Sequence, residues 1–249
     1  MFVCLFYFSH VIVGLFFGSI FYNLDNGTDS SAYTNRMSLL FFCLVFLVVG
    51  HQQNIPNLFE DRLVFYRERG SSLYGAVPYW ISCWYLELPL CILNVFVFAS
   101  IVYNMAQLNK ASGCLGFFYG QLLLASWSGQ FLCQVVAAYS PSPQVAISAF
   151  PVALFVAVTF AGYIVFLPSF NIWLKSWAPY LSILRYPYQA LVINEFQDNT
   201  ALPYGQSYID QLGFNDYSKS EVAPANAFFA LGFACLLLIA LKYVDFERR

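Results

Sequence analysis

The sequence predicts an all-α polytopic membrane protein with six transmembrane helices, a cytosolic helix after the second, and a re-entrant or interfacial helix pair before the last. Two observations predict this class. Of the 249 residues, 60% are hydrophobic, 20% aromatic and only 10% charged, whereas a soluble domain has about 25% charged residues. The apolar residues also fall in runs of roughly 20, the length with which a helix crosses a bilayer.

Composition and motifs exclude several other classes. The net charge of -2 gives no basic face for nucleic acid. No nucleophile, base and orienting group cluster, and no phosphate-binding glycine loop with its lysine occurs, so no catalytic site is expected. The seven cysteines lie in or beside apolar runs without metal-ligand spacing, which predicts small core residues. The first apolar run begins at Phe2, so no signal peptide is expected.

The first predicted span covers residues 2–22 and contains no Asp, Glu, Lys or Arg. Gly14 and Gly18 are four residues apart, a spacing that favours close packing against another helix. The following polar loop contains Asn26-Gly27-Thr28, an N-glycosylation acceptor that is used only outside the cytosol. Asn26 is therefore a candidate glycosylation site.

The second predicted span covers residues 37–57. It is apolar as far as Gly50 and then polar at His51-Gln52-Gln53-Asn54. Because the apolar part is too short to cross alone, the polar tetrad should continue the helix and face protein or water rather than lipid. His51 is interpreted as a hydrogen-bonded interior group rather than a ligand.

The predicted cytosolic loop, residues 58–77, contains a charged segment. The chain has 11 Lys or Arg and 13 Asp or Glu residues, and six of these 24 lie between Glu60 and Arg69. Each would cost about 2.5–3.5 kcal/mol at the bilayer centre, so the segment must lie in water. Apolar residues recur within it at Phe59, Leu63 and Tyr66. This spacing predicts an amphipathic helix that ends at Gly70, with Ser71 or Ser72 capping another. It is either a solvated loop or a helix that binds a cytosolic partner.

The third predicted span, residues 79–103, contains Glu87, with Pro89 two residues later. Ionisable residues within a span usually face the interior, so Glu87 is an intramembrane polar candidate. Its role is either functional or that of a structural hydrogen-bonding group, and its partner stays open.

The fourth and fifth predicted spans, residues 114–139 and 144–167, are joined by four residues and must be antiparallel neighbours. The fourth carries side chains suited to hydrogen bonds between helices. These are Gln121, Ser126, Ser128, Gln130 and Gln134.

The predicted external loop, residues 168–224, begins with a helical stripe that Pro179 and Pro187 interrupt. The stripe consists of Trp177, Leu181, Leu184, Tyr188 and Leu191. Since Trp and Tyr favour headgroup depth, this half predicts the re-entrant or interfacial helix pair. Residues 197–224 are polar and turn-rich and should form a water-exposed cap.

The sixth predicted span covers residues 225–244, and six spans put both termini on one side. Basic residues concentrate in the charged segment and in the tail, which contains Lys242, Arg248 and Arg249, whereas the first and third loops have one each. The positive-inside rule therefore places both termini in the cytosol and Asn26 outside. The plasma membrane is the expected location.

Several stretches resemble the membrane domain of the G-type (white and pleiotropic drug resistance) ATP-binding cassette transporters. The resemblance covers essentially the whole chain, 1–249, as one ABC-2 type transmembrane domain. The specific stretches are Phe59–Arg69 with the following Tyr74, Pro78-Tyr79 and Glu87-Leu88-Pro89, then Asn35-Arg36 with Leu40-Phe41-Phe42, and finally Arg185–Phe196.

This resemblance implies a permease that exports hydrophobic or amphipathic small molecules or lipids from the cytosol or the inner leaflet. Two six-span domains would face each other as a homodimer, heterodimer or pseudo-dimer. Each would couple to a nucleotide-binding domain, fused upstream or separate, that holds ATP and Mg. This chain itself would contain no cofactor, no metal and no ATPase site.

The resemblance also implies roles for individual residues. Coupling to the nucleotide-binding domain falls to Glu60, Arg62, Phe65, Tyr66, Arg67, Glu68 and Arg69. A central substrate cavity falls to Phe42, Val45, Phe46, Val49, Phe155, Val158 and Thr159. A hydrophobic gate above the cavity falls to Tyr163 and Ile164. The alternative for each residue is ordinary packing between helices.

Two other classes compete with the exporter. A non-transporting membrane scaffold, or a truncated product of such a transporter, would need no ATPase partner. A channel or receptor would need a polar pore or pocket, and the apolar faces of the second and fifth spans argue against it.

Overall fold

The computed structural model describes residues 2–24, 29–197, 199, 202–214 and 218–244, and the regular elements of this part are all helices. The first six are α1 (Phe2–Ile20), α2 (Ser30–Gly50), α3 (Ile55–Gly70), α4 (Ala76–Ala106), α5 (Cys114–Tyr139) and α6 (Pro143–Thr159). They are followed by α7 (Ile172–Lys175), α8 (Ala178–Leu181), α9 (Arg185–Phe196), α10 (Gly205–Leu212) and α11 (Lys219–Tyr243). Two 3₁₀ helices cover His51–Asn54 and Leu167–Ser169. The candidate Asn26 and the tail residues Arg248 and Arg249 lie outside the described residues.

Four helical segments of the described part are long and apolar enough to cross a membrane. They are Ser30–Gly70, Ala76–Ala106, Cys114–Tyr139 and Glu221–Tyr243. Two shorter apolar helices, Phe8–Ile20 and Pro143–Thr159, accompany them. The predicted all-α membrane class is thus confirmed.

The helix ends gather at two opposite ends of the bundle. At one, here called the α3 end, Arg62 of α3 contacts Ser140, which follows α5. At the other, the α9 end, Asn194 Nδ2 of α9 donates to the Cys114 carbonyl at the start of α5, at 3.1 Å. Since α5 runs from the α9 end to the α3 end, these two contacts mark the two ends of the bundle.

Small residues allow close contacts between helices. A Cβ atom built on Gly18 of α1 would lie 2.5 Å from the Met105 sulfur of α4, and one on Gly14 would lie 3.4 Å from Phe98. A Cβ atom on Gly129 of α5 would lie 2.8 Å from Val48 Cγ1 of α2. The close helix contact predicted from Gly14 and Gly18 is therefore present, against α4.

Three helix starts differ from the prediction. α2 begins at Ser30 rather than residue 37, because a polar first turn is compatible with a helix that extends beyond the apolar run. α4 begins after Gly75, so neither Ser71 nor Ser72 caps it. α11 begins at Lys219, because Ser218 and Glu221 form a capping box there.

The predicted fifth span is longer than its helix. α6 ends at Thr159 rather than residue 167. Gly162 has a φ of 92°, in the left-handed region where a glycine turns the chain without strain. The polar tetrad after α2 forms a 3₁₀ helix. His51 within it is buried, and its Nε2 atom lies 3.0 Å from Ser126 Oγ.

The predicted loop of residues 168–224 contributes to the core. α9 is buried along its length, and Pro187 lies in its first turn, where its missing N–H costs nothing. Trp177 and Leu181 of the predicted stripe are exposed. The expectation of a water-exposed cap after residue 197 is wrong for four buried apolar residues, Leu202, Ile209, Leu212 and Phe214.

The cysteines of the described part are mostly interior. Cys43, Cys91, Cys114 and Cys133 are buried, as the sequence predicts. Cys235 of α11 is exposed, so the prediction of a core residue is wrong there. Apolar flanks do not distinguish the inner from the outer side of a helix in a membrane protein.

Candidate functional site

The inward side of α3 is aromatic and packs onto the bundle. Phe65 is fully buried, and its ring stacks on Tyr79 of α4 with the centroids 4.4 Å apart. Phe59 and Tyr66 are also buried. Since burying one such side chain stabilises by about 1.5–3 kcal/mol, α3 is held on the bundle rather than free in water.

Two arginines of α3 bind the ends of neighbouring helices. Arg62 Nη1 donates to the carbonyl oxygens of Ala137 at 3.2 Å and Ser140 at 2.8 Å, at the end of α5. Arg69 Nη1 donates to the Leu241 carbonyl at 2.9 Å, near the end of α11. The last carbonyls of a helix have no N–H partner further along the helix, and they carry partial negative charge. Each guanidinium supplies these carbonyls with hydrogen-bond donors and with a compensating positive charge.

The outward side of α3 carries a different set of residues. They are Glu60, Leu63, Val64 and Arg67, here called the outward stripe. All four are exposed, Leu63 to 61% and Val64 to 42%. Two charged residues flank two apolar ones, and the inward side of α3 holds the helix on the bundle. Such a surface suits a protein partner in water rather than lipid, because the charges are excluded from hydrocarbon.

The seven residues predicted for coupling divide between these two sides. Glu60 and Arg67 lie on the outward stripe. The other five are buried or half-buried: Arg62, Phe65, Tyr66, Glu68 and Arg69. Glu68 accepts a hydrogen bond from Tyr74 Oη, and this bond raises the pKa of Tyr74 to about 12. The two apolar residues of the stripe, Leu63 and Val64, were not among the predicted seven.

Polar side chains converge on Glu87 beneath α3. Gln134 Nε2 of α5 donates to Glu87 Oε2 at 2.9 Å, and Gln130 Nε2 donates to the same oxygen. Gln130 Oε1 accepts from Asn54 Nδ2 at 3.5 Å, at the junction of α2 and α3. An ionisable group inside a bundle requires such partners. The glutamine pair is therefore the partner that the sequence left open.

One side of α2 is accessible and apolar. Phe42 and Val49 are 45% and 38% exposed, and Val45 between them is half-buried. Phe46 instead faces α4, where its ring centroid lies 5.2 Å from that of Phe98. Of the four cavity residues predicted on α2, Phe42 and Val49 are thus exposed, and Val45 and Phe46 are half-buried, Phe46 against α4.

The adjoining helix α6 also exposes apolar side chains. Val152 and Phe155 are 65% and 70% exposed. Val158 and Thr159 are half-buried, and Thr159 Oγ1 donates to the Phe155 carbonyl at 2.9 Å. Together with the accessible side of α2, this surface is here called the open face. It consists of Phe42, Val45, Val49, Val152, Phe155 and Val156. Exposed apolar side chains in this number are typical of a surface covered by lipid or protein.

The two predicted gate residues differ in their surroundings. Tyr163 stacks on Phe41 of α2 with centroids 4.4 Å apart, and its hydroxyl lies 2.7 Å from Ser38 Oγ. Ile164 is 57% exposed. Both residues follow the end of α6, so they are not part of that helix. Tyr163 connects the segment that contains them to α2.

A buried ion pair anchors α2 at the α9 end. Arg36 and Glu195 are 1% and 2% exposed and form a salt bridge. Arg36 Nη2 also donates to the Leu24 carbonyl at 3.1 Å, and Glu195 Oε2 accepts from the Asn109 backbone N–H at 2.9 Å. Burial raises the pKa of the Glu195 carboxyl, and Arg36 opposes that rise. Four separate parts of the chain meet at this pair.

The sequence reasoning missed the roles of two buried arginines, Arg36 and Arg185. Both were named only within stretches that carry the family resemblance. Both lie beside apolar residues. A lone basic residue beside apolar runs is itself a signal of a buried charge.

The comparisons with known proteins are consistent with this geometry. The sequence profile of the ABC-2 type transporter family matches residues 4–196. ABC transporter G family member 22 of Dictyostelium discoideum is 28% identical over 247 residues, which cover 96% of this chain and 39% of that protein. ABC transporter G family member 2 of the same organism is 31% identical, over 96% of this chain and 20% of its own length.

A fungal protein matches a somewhat shorter part. The Brefeldin A resistance protein of Schizosaccharomyces pombe is 25% identical over 207 residues, which cover 81% of this chain and 13% of that protein. The chain thus spans between 13% and 39% of the length of these three relatives.

Proposed function

Because the chain belongs to the ABC-2 type transporter family, we propose that it is the transmembrane permease domain of an ATP-driven exporter. Its relatives are G-family ABC transporters. The ABC-2 membrane domain has no ATPase site of its own. The energy would come from a nucleotide-binding domain, fused upstream or separate, that holds ATP and Mg²⁺. The cargo would be a hydrophobic or amphipathic small molecule or a lipid, moved out of the cytosol or the inner leaflet.

The observation that carries this proposal is the construction of α3. Its inward side ties the ends of α5 and α11 through Arg62 and Arg69. Its outward stripe is exposed. A helix with these two sides would transmit a push from a cytosolic partner to α5 and α11 at once. The coupling contact is assigned to Glu60, Leu63, Val64 and Arg67, and the inward residues of α3 transmit it.

The proposed topology has six membrane crossings, by α1, α2, α4, α5, α6 and α11. α7 and α8, with α9 behind them, would be the re-entrant or interfacial element before the last crossing. The arginines of α3 and Lys242 of α11 lie at the same end of the bundle. The positive-inside rule supports a cytosolic location for that end and for both termini. The plasma membrane is the proposed location.

The proposed cavity forms when a second six-helix domain, identical or related, covers the open face. Phe42, Val45, Val49 and Phe155 would then line an apolar space, with Val158 and Thr159 near its upper rim. Tyr163 and Ile164 would close it at the α9 end. The apolar character of the open face supports a lipophilic cargo. The name of the Schizosaccharomyces pombe relative, which refers to brefeldin A resistance, supports an efflux role.

Charge reversal on the outward stripe tests the proposal. The protein is reconstituted with its nucleotide-binding domain, and vanadate-sensitive export of a fluorescent amphipathic probe is measured. We expect Glu60→Lys together with Arg67→Glu to reduce export at least tenfold, since two charge contacts at a protein interface contribute a few kcal/mol. Lys110→Glu, a charge reversal at the α9 end, is the matched control and should leave export unchanged.

Unchanged export in the double variant would contradict the coupling role of the outward stripe. If the wild-type protein shows no ATP-dependent export while its complex with a nucleotide-binding domain forms normally, the permease proposal fails. A non-transporting membrane scaffold would then be the better description.

A further inference from the structure

A cavity of about 180 Å³ lies at the α9 end of the bundle, apart from α3 and the open face. Its lining includes Lys175 of α7, Tyr180 of α8, Arg185 at the start of α9 and Gly213 after α10. A water molecule takes up roughly 30 Å³ in the liquid, so the cavity has room for a group of several heavy atoms.

Arg185 is the exceptional residue of this cavity. Its side chain is 3% exposed, and its Nε and Nη1 atoms are buried without a hydrogen-bond partner. The guanidinium carbon lies over the Tyr180 ring, 4.5 Å from the centroid. Among the residues that the structure describes, the salt bridge is the one between Arg36 and Glu195, and no carboxylate lies within salt-bridge distance of Arg185.

This arrangement is electrostatically incomplete. Burying a cation without an opposite charge costs several kcal/mol, and the ring of Tyr180 offsets only about 2 kcal/mol of it. Arg185 is also the first residue of α9, at the positive end of the helix dipole, where an anion is favoured over a cation. Lys175 adds a second positive charge at the same cavity.

We propose that this cavity binds a phosphate-type anion, and that the headgroup of a membrane phospholipid supplies it. The N–H groups on Nε and Nη1 of Arg185 would donate to phosphate oxygens, a contact that guanidinium groups make strongly. The side chain of Lys175 would provide a second, exposed charge. This site does not depend on whether the protein transports anything.

The surroundings of the cavity favour a lipid over a free ion. The two short helices beside it, α7 and α8, and the two residues between them expose large apolar side chains. These are Ile172 (87%), Trp173 (71%), Trp177 (45%) and Leu181 (67%). Tryptophan and aliphatic side chains exposed next to basic residues are typical of headgroup depth, where phospholipid phosphates lie. Acyl chains can cover these side chains while the phosphate enters the cavity.

Lipid binding by the purified protein tests this site. The full protein in detergent is titrated with phosphatidylglycerol, with diacylglycerol of the same acyl chains, or with inorganic phosphate, and bound lipid is counted by native mass spectrometry. We expect phosphatidylglycerol to bind and diacylglycerol not to bind. Arg185→Gln should weaken phosphatidylglycerol binding about tenfold. Binding of inorganic phosphate with the same dependence on Arg185 would support the site and assign it to a free anion.

Two further variants keep the test decisive. Lys175→Gln changes an exposed residue that folding does not require, and should weaken binding about threefold, whereas Lys110→Gln, outside the cavity, should not. Equal binding of phosphatidylglycerol and diacylglycerol would overturn the proposal, as would wild-type binding by both cavity variants. Asp216 lies outside the described residues. Phosphatidylglycerol binding that appears only in Asp216→Asn would also overturn it, because an internal carboxylate would then occupy the cavity.

Discussion

One buried pair of charged side chains holds together parts of the chain that are far apart in sequence. Arg36 and Glu195 are far apart in sequence, yet each is almost completely buried against the other. The pair also holds the Leu24 carbonyl and the Asn109 N–H. Breaking such a pair leaves one charge buried without compensation, which costs more than the pair itself contributes.

We therefore expect Glu195→Gln to lower the free energy of unfolding by about 3–5 kcal/mol. The purified protein would show this as a lower midpoint of thermal unfolding in detergent. The double variant Arg36→Met with Glu195→Leu should recover much of the loss, since it removes both charges. Glu60→Gln is the control, because Glu60 is an exposed carboxylate at the α3 end. A Glu195→Gln protein as stable as the control would contradict the role of the pair.

The close approach of α2 and α5 requires a glycine at position 129. A methyl group on Gly129 would lie 2.8 Å from Val48 Cγ1, and valine has little freedom to rotate away. Gly129→Ala should destabilise by about 1–3 kcal/mol, and adding Val48→Ala should relieve part of this. Gly120→Ala, on the same helix with open space around it, should instead be neutral or stabilising. Thermal unfolding of the three variants measures both effects.

At the scale of elements, α3 connects helices that have no loop in common. Arg62 binds carbonyls at the end of α5, and Arg69 binds carbonyls at the end of α11. Both interactions use partial charges that exist only because those helices end there. The helix of the charged segment, and its end at Gly70, could be predicted from spacing and glycine. Spacing could not predict which arginines face inward, since that depends on the positions of two distant helix ends.

Hydrogen exchange can separate the two sides of α3. In the last turn of α11, the Val244 N–H donates to the Ala240 carbonyl at 2.8 Å. Arg69→Gln should speed exchange in this turn by roughly three- to tenfold, because it removes the guanidinium from the helix end. Arg67→Gln, two residues away on the outward stripe, should not change it. Mass spectrometry of the C-terminal peptide gives the rates, and equal effects of the two variants would refute this assignment.

The whole molecule has one end built on α3 and another built on α9. Arg67 lies at the first end, and Lys110 lies at the second, next to Asn109 and its contact with Glu195. Charged loops on opposite ends of a membrane bundle must lie in different compartments. The proposed topology, which follows the positive-inside rule, has the α3 end in the cytosol.

Thiol labelling in intact cells checks this assignment. In a background that carries Cys235→Ser, we expect Lys110→Cys to react with a membrane-impermeant maleimide and Arg67→Cys to react only after permeabilisation. The Cys235→Ser parent without an added thiol gives the baseline. Labelling of Arg67→Cys in unbroken cells would reverse the topology and remove the cytosolic partner from α3.

The membrane class and the positions of the apolar helices could be predicted because bilayer thickness leaves a direct trace in the lengths of apolar runs. The end of α6 could not, since residues 160–166 are as apolar as the helix itself. The chain turns at Gly162, where an added Cβ atom would lie 3.1 Å from Phe214. The candidate site shows the same limit. Spacing placed Phe42 and Phe46 on one face, whereas the packing of α4 draws Phe46 inward.

The anchoring of α2 by Arg36 bears on the order of events in the proposed transport cycle. A rod fixed near one end and pushed at the other pivots about the fixed point. At about 1.5 Å per residue, Phe42 lies roughly 9 Å and Val49 roughly 20 Å from the pivot at Arg36. A tilt that begins at α3 therefore displaces Val49 at least about twice as far as Phe42 and its neighbour Phe41, on which Tyr163 stacks. In the proposed transport cycle, the α3 end of the open face would therefore widen before the segment at Tyr163 separates from α2.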